Sequence, residues 1–126
     1  MMSLANPYQA YENNQVLFAK GEELTLLLYK GAIKFIEQAK LAMAKNDWSR
    51  TNDRIIKVQN IISEFMVTLN MEIEISQSLL LLYDYMKQRL IEANLKKDVE
   101  MLNEVQKMLI ELQETWIQAM GAIRPT

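Results

Sequence analysis

The side chains that could perform chemistry in this chain are mainly carboxylates and amines, because its 126 residues include no histidine and no cysteine. The chain therefore lacks the usual general base, the thiolate nucleophile and the Glu-x-x-His motif of di-iron helical bundles. Carboxylate pairs such as Glu72 and Glu74 lie two apart, which places them on different sides of a helix. No glycine-rich phosphate-binding loop is present. The sequence predicts a protein that is not an enzyme and that uses no cofactor or metal.

Four apolar-periodic segments must position whatever side chains bind a partner. Asn46, Asn70 and Asn94 lie 24 residues apart, each at the end of one such segment, and are interpreted as helix-to-helix corners. Helices of about 22 residues are about 33 Å long, so equal spans joined by tight corners fold back as antiparallel neighbours. The sequence predicts one domain over residues 1–126, an all-α, antiparallel up-down four-helix bundle at 22–120 preceded by a short helical arm.

The core positions of the four helices follow from apolar residues that recur at spacings of three and four. The first helix is predicted to start near Glu22, and Asp98 is predicted to cap the fourth. The predicted core positions are Leu24, Leu28, Gly31, Phe35, Ala39 and Met43; Trp48, Ile55, Val58, Ile62, Phe65 and Leu69; Ile75, Leu79, Leu82, Met86 and Leu90; and Leu102, Val105, Leu109, Leu112, Trp116 and Met120.

The bundle pattern leaves a surplus of apolar side chains on the first and third helices. The members singled out as a binding surface are Leu26, Leu27, Tyr29, Leu80, Leu81 and Tyr83. A helix that is apolar on more than one face is either surrounded by its own chain or available to a partner. The surplus predicts a groove for an apolar, helical segment of another protein. The alternatives are a structural bundle that self-associates through this extra face and, more weakly, a small-molecule carrier.

The first 19 residues differ from the rest and form the predicted arm. Pro7 at the first position of a short turn places Tyr8 and Tyr11, three residues apart, on one side. Such a turn is not stable alone, so the arm either packs on the bundle through these rings or remains mobile. An ordinary capped turn is the alternative interpretation.

The charge of the chain argues against two classes of partner. Fourteen lysines and arginines stand against sixteen acidic residues, which gives a net charge of −2, and no block of like charge exceeds a pair. Nucleic acids and anionic membranes attract clusters of Lys and Arg, so neither is expected as a partner. The amino terminus lacks the basic and apolar regions of a signal peptide, and no stretch approaches the ~18 apolar residues of a membrane span. We therefore expect a cytoplasmic location.

An ordered set of short motifs runs from about residue 6 to residue 118. The motifs are Asn6-Pro7-Tyr8-Gln9-Ala10-Tyr11 with Asn14, Glu23-Leu24-Thr25-Leu26-Leu27-Leu28-Tyr29, Lys57-Val58-Gln59-Asn60-Ile61-Ile62, Thr68-Leu69-Asn70, Leu82-Tyr83-Asp84-Tyr85-Met86 and Thr115-Trp116. In this order they resemble the FliS family of flagellin export chaperones. The chain departs from the family at Phe18-Ala19-Lys20-Gly21, where Ser or Thr followed by Pro is usual, so its first helix is expected to be less firmly capped.

The resemblance implies a four-helix bundle that binds the carboxy-terminal, disordered segment of flagellin in the cytoplasm. It implies that the protein prevents early polymerisation and helps to deliver flagellin to the type III export apparatus, with the export-gate protein FlhA as a further partner. A weak homodimer is a separate expectation, since the extra apolar face could meet a second copy of the chain. The apolar surplus would contact flagellin, while Lys57, Gln59 and Asn60 would hold the flagellin backbone or a neighbouring helix. These three residues are otherwise interpreted as a solvent-exposed face. Tyr8, Tyr11 and Asn14 would belong to an arm that flagellin displaces.

Overall fold

The computed structural model describes residues 17–123, and it describes the burial of Gly21 and of the residues from 23 to 119. These residues form four helices, which we number α1 (Leu17–Ala44), α2 (Trp48–Thr68), α3 (Glu74–Lys96) and α4 (Val99–Ile123). The predicted arm up to residue 16, with Tyr8, Tyr11 and Asn14, lies outside the described residues.

The helices pack as a ring of four neighbours. α1 contacts α2 and α4, α3 also contacts α2 and α4, and within residues 17–123 the backbones of the diagonal pairs do not meet. Because the connecting corners are short, consecutive helices run antiparallel. This arrangement confirms the predicted all-α, up-down four-helix bundle.

The predicted start of the first helix is wrong, because α1 begins at Leu17, five residues before Glu22. The segment from Phe18 to Gly21 contains no proline and no Ser, Thr, Asp or Asn that could act as a cap. Nothing in this segment stops the helix, so it continues towards the amino terminus. Residues 17–19, assigned to the arm by the prediction, are therefore part of α1.

The first two predicted corners are confirmed, and the third is displaced. Asn46 has the left-handed backbone expected at a helix end, with φ of 57°. The Asn70 side chain accepts a hydrogen bond from the backbone N–H of Glu72 at 3.0 Å, which stabilises the second corner. Asn94, in contrast, lies inside α3, and the left-handed residue of the third corner is Lys97, with φ of 52°.

Side-chain caps hold the starts of two helices. Asp47 Oδ1 accepts a hydrogen bond from the backbone N–H of Arg50 at 3.1 Å and caps α2. Asp98 Oδ1 accepts from the backbone N–H of Glu100 at 2.9 Å, which confirms its predicted role before α4. Both bonds satisfy backbone donors that have no partner inside the helix.

The core confirms four of the six predicted positions on α2, three of the six on α4, where the Met120 side chain lies outside the described residues, and two each on α1 and α3. The predicted positions that are buried are Ala39, Met43, Ile55, Val58, Ile62, Phe65, Met86, Leu90, Leu102, Val105 and Leu109. Three residues predicted outside the core, Tyr29, Ile36 and Tyr83, are buried in it. Two predicted core residues, Trp48 and Ile75, are exposed. They lie in the first turns of α2 and α3.

Hydrogen bonds between polar side chains join α4 to both neighbouring helices, α1 and α3. On the α1 side, Gln106 Nε2 donates to Glu37 Oε1 at 3.0 Å and Lys40 Nζ donates to Gln106 Oε1 at 3.0 Å. On the α3 side, Tyr85 Oη donates to Glu104 Oε2 at 2.6 Å and Arg89 Nε donates to Glu104 Oε1 at 2.8 Å.

Removing the Tyr85 hydroxyl is expected to raise the pKa of Glu104. That pKa is held below its ordinary value first by the hydrogen bond from Tyr85 and then by Arg89. The stability that Glu104 contributes is present above the ordinary carboxyl pKa and is lost as the pH falls through the lowered value. In Tyr85→Phe, a carboxyl titration followed by NMR should show the Glu104 pKa closer to the ordinary value. Glu37, whose pKa is lowered mainly by the hydrogen bond from Gln106 and then by Lys40, is the internal control and should not move.

Candidate partner-binding site

A cleft of about 430 Å³ lies at the end of the bundle that carries the α2–α3 corner. All four helices line it, because this end contains the first part of α1, the last part of α2, the first part of α3 and the last part of α4. We call it the corner cleft. Its lining residues are Thr25, Tyr29, Phe65, Thr68, Leu69, Asn70, Ile73, Ile75, Ser76, Leu79, Tyr83 and Trp116.

Three aromatic rings from three helices form the floor of the corner cleft. The hydroxyl oxygens of Tyr29 on α1 and Tyr83 on α3 are 2.8 Å apart, so one phenol donates a hydrogen bond to the other. The Phe65 ring of α2 lies against both, with ring centroids at 4.5 Å from Tyr29 and 5.4 Å from Tyr83. Each tyrosine is only 4% exposed. Long aromatic side chains therefore connect two diagonal helices whose backbones do not meet.

Burial keeps the two phenols neutral. Loss of hydration raises the pKa of Tyr29 well above the ordinary tyrosine value, and the neighbouring phenol raises it further. Loss of hydration also raises the pKa of Tyr83, although the hydrogen bond with Tyr29 opposes this shift. Both hydroxyls therefore stay protonated at neutral pH. The floor offers neutral hydrogen-bonding groups within a mainly apolar surface.

The rim of the corner cleft consists of apolar side chains that remain open to solvent. Ile73 and Ile75 line the cleft and are 51% and 62% exposed, although both are large aliphatic residues. Leu69, Leu79 and Trp116 add half-buried apolar surface. Removing such surface from water on binding is favourable by about 25 cal/mol per Å². The rim is therefore suited to hydrophobic contact with a partner.

The predicted apolar binding residues divide into three groups in the structure. Tyr29 and Tyr83, predicted as surface contacts, are buried and form the cleft floor instead. Leu27 and Leu81 are exposed. Leu26 and Leu80 are half-buried.

The six predicted residues do not form one groove. They lie on α1 and α3, which are diagonal in the bundle. Leu27 and Leu81 are each about 200° around their helix from the inward-facing Tyr29 and Tyr83, so they face outward on opposite sides of the bundle. The prediction grouped them because each lay off the expected core stripe of its own helix. A partner that contacts both Leu27 and Leu81 must extend around the bundle.

The polar group Lys57, Gln59 and Asn60 lies on α2. Lys57 and Gln59 are half-buried, and Asn60 is exposed. Residues two apart are separated by about 200° around a helix, so Lys57 and Gln59 lie on opposite sides of α2. No hydrogen bond or ion pair joins the three side chains to another of the described residues. Their assignment to flagellin or to a neighbouring helix stays a prediction.

Sequence reasoning missed most of the corner cleft. It placed Phe65, Leu79, Ile75 and Trp116 in the core, and it did not use Ile73 at all. A signal was present, because apolar residues alternate with polar ones from Leu69 to Ile75, whereas corners between helices are normally polar. An apolar corner indicates that its side chains pack on another part of the chain or bind a partner.

The described part of the chain offers little for other kinds of chemistry. It contains no group of three or more acidic side chains that could hold a metal ion. None of its four helices combines the length and the hydropathy needed to cross a membrane. An end-of-bundle cleft with apolar walls and a neutral polar floor is typical of a protein that binds other molecules.

Comparison with known proteins places this four-helix protein in a family. The chain matches the family described as "Flagellar protein FliS" over residues 4–123. It is 46% identical to the flagellar secretion chaperone FliS of Bacillus subtilis strain 168 over 123 residues, covering 98% of this chain and 92% of the relative. It is 30% identical to the protein of that name from Escherichia coli K12 over 126 residues, covering 94% and 93%. Against that of Salmonella typhimurium LT2 the identity is 32% over 113 residues, covering 87% and 84%. The chain belongs to the FliS family, which confirms the resemblance seen in its motifs.

Proposed function

We propose that this protein is a cytoplasmic export chaperone that binds the carboxy-terminal segment of flagellin. It prevents premature polymerisation and assists delivery to the flagellar type III export apparatus. The relatives are named flagellar secretion chaperones. The single structural observation that supports the proposal is the corner cleft, whose apolar rim is exposed in the described part of the chain.

The mechanism is coupled folding and binding. A disordered flagellin tail that orders on the bundle must bury about 1,000–3,000 Å² to offset the cost of ordering. The corner cleft alone is too small for this, so the tail also covers outer faces of the bundle. Leu27 and Leu81 supply exposed apolar contact on two such faces. The long contact needs neither a deep enclosed pocket nor a cofactor.

Calorimetric titration with a peptide that covers the carboxy-terminal segment of the same organism's flagellin tests this function. We expect near one-to-one binding, a negative heat-capacity change and a gain of helix by circular dichroism. Absence of binding to the peptide and to whole flagellin would contradict the proposal. Concentration-dependent self-association in a sizing measurement without flagellin would favour the structural, oligomerising bundle instead.

Truncating Leu27 and Leu81 to alanine is expected to weaken flagellin binding by two independent, additive amounts of free energy. Leu27 and Leu81 are 60% and 73% exposed and lie on diagonal helices, so each Ala variant should lose affinity while folding stability changes by less than about 1 kcal/mol. The free-energy losses of Leu27→Ala and Leu81→Ala should add in the double variant, because the sites share no contacts. Titration of the four proteins checks this, and unchanged affinity in the double variant would remove both residues from the site. Contact with FlhA and weak dimerisation stay predictions of the resemblance.

A further inference from the structure

The hydroxyl pair in the floor of the corner cleft has one hydrogen more than its single bond uses. Each phenol has one O–H donor, and the 2.8 Å contact between Tyr29 and Tyr83 uses only one of the two. Whichever phenol accepts this bond keeps its own O–H hydrogen. Neither hydroxyl forms a hydrogen bond with any other described residue. The cleft floor therefore presents one free donor.

Two other polar groups of the cleft, those of Thr68 and Asn70, are used locally. Thr68 Oγ1 donates to the backbone oxygen of Glu64 at 3.0 Å, back into its own helix. Asn70 Oδ1 accepts from the backbone N–H of Glu72 and so serves the corner. A buried donor without a partner is rarer in proteins than a buried acceptor with a spare lone pair. The free phenol hydrogen thus creates a demand for an acceptor in whatever fills the cleft.

The kind of acceptor depends on how a peptide segment enters the cleft. One turn of helix with its side chains, taken as a cylinder about 10 Å wide and about 5.4 Å high, occupies about 420 Å³. The cleft, at about 430 Å³, has room for a short stretch of main chain as well as for side chains. A helix lying sideways on the rim would insert only side chains, and its inner carbonyls are already bonded. A helix end or a non-helical stretch brings free main-chain carbonyl oxygens.

We infer that the corner cleft receives a point where the helical structure of the bound flagellin segment ends, and that the Tyr29–Tyr83 pair donates a hydrogen bond to a main-chain carbonyl there. This inference rests on the proposed function and deepens it. The apolar rim holds the side chains of the segment, and the phenol pair fixes the position at which its helix stops. The two tyrosines are thus positioning residues for the partner as well as core residues.

Three phenylalanine variants test the inference because stability and affinity should rank them differently. Tyr29→Phe and Tyr83→Phe each leave one buried hydroxyl that has lost its bond partner, so both should unfold at lower denaturant than wild type. Tyr29→Phe with Tyr83→Phe removes both hydroxyls and keeps the ring shapes, so its stability should recover most of the loss.

The affinity for the flagellin peptide should rank the variants in the opposite order, with the two single variants above the double variant. Each single variant keeps one hydroxyl whose hydrogen is free, so binding should stay within about twofold of wild type. The double variant has no donor, and its binding should weaken by about five- to tenfold. Tyr85→Phe, which removes an exposed hydroxyl bonded to Glu104, is the matched control and should bind like wild type.

The outcomes separate this inference from the function on which it rests. If wild-type protein does not bind the peptide, the proposed function fails. If wild type binds and the double variant binds equally well, the function stands and the inference is overturned. A single variant that weakens binding by as much as the double variant would also overturn it, since affinity would then follow lost packing. If the double variant loses helicity by circular dichroism, the single variants still test the inference, because each is expected to bind the peptide within about twofold of wild type.

Discussion

Replacing Ile75 with aspartate is expected to weaken binding of the flagellin segment by at least about 100-fold, because an unpaired charge would be buried in an apolar contact. Ile75 lies on the rim of the corner cleft and is 62% exposed in the free protein, so the aspartate would be solvated there and would leave no cavity in the core. It is the second residue of α3, where a negative charge is favourable near the helix amino terminus. Affinity should therefore fall while folding stability stays unchanged or rises slightly.

The matched control for this change is Leu95→Asp. Leu95 is also an exposed aliphatic residue of α3, but it lies near the opposite end of the helix, far from the cleft. Titration of both variants with the flagellin peptide, with urea unfolding in parallel, distinguishes a local effect from a general effect of charge. Equal binding by wild type and Ile75→Asp would show that the rim does not contact flagellin.

Truncating Ile62 to alanine is expected to lower the free energy of unfolding by about 2–5 kcal/mol. Ile62 is fully buried at the centre of the bundle, on the stripe of α2 that also carries Val58 and Phe65. Removing three carbon atoms there loses their transfer free energy and leaves a cavity that the surrounding helices can close only partly. A loss of this size is a large fraction of the ~5–15 kcal/mol stability of a typical domain.

Ile56→Ala on the same helix provides the comparison. Ile56 is exposed, so the same loss of atoms should cost less than about 1 kcal/mol. Equilibrium unfolding in urea, with the slope of the transition checked for both variants, measures the difference. Equal losses at the two positions would contradict the arrangement of α2 in the bundle.

The core positions of α2 and α4 could be predicted from sequence because each helix has one apolar stripe. On α2, Ile55, Val58, Ile62 and Phe65 recur at three and four, and the structure buries all of them. The third helix is different, since the run from Ser78 to Met86 is apolar around most of the helix. Several stripes then satisfy the periodicity equally well, and only packing against the neighbours selects one. The floor of the cleft was missed for this reason, since Tyr83 belongs to the stripe that packing selected.

Helix ends were harder to predict than helix cores. Equal spacing suggested Asn94 as the third corner, since asparagine tolerates the left-handed backbone better than most residues. Instead α3 continues to Lys96, and Lys97 adopts this backbone just before the capping residue Asp98. The aspartate was recognisable from sequence because its cap has a local chemical signature. The lysine was not, because its left-handed backbone belongs to a cap made by main-chain hydrogen bonds to the Ala93 carbonyl oxygen, which any residue type can form.

The positions of the two tryptophans give the protein its own optical reporter. Trp116 lines the corner cleft, whereas Trp48 begins α2, whose 21 residues place it about 30 Å from the other end. The described helices therefore carry one indole beside the binding surface and one remote from it. In a Trp48→Phe variant, emission would come from the cleft alone, so a change of intensity or wavelength on adding flagellin would signal occupancy without an attached dye. The same signal would give association and release rates in a stopped-flow instrument.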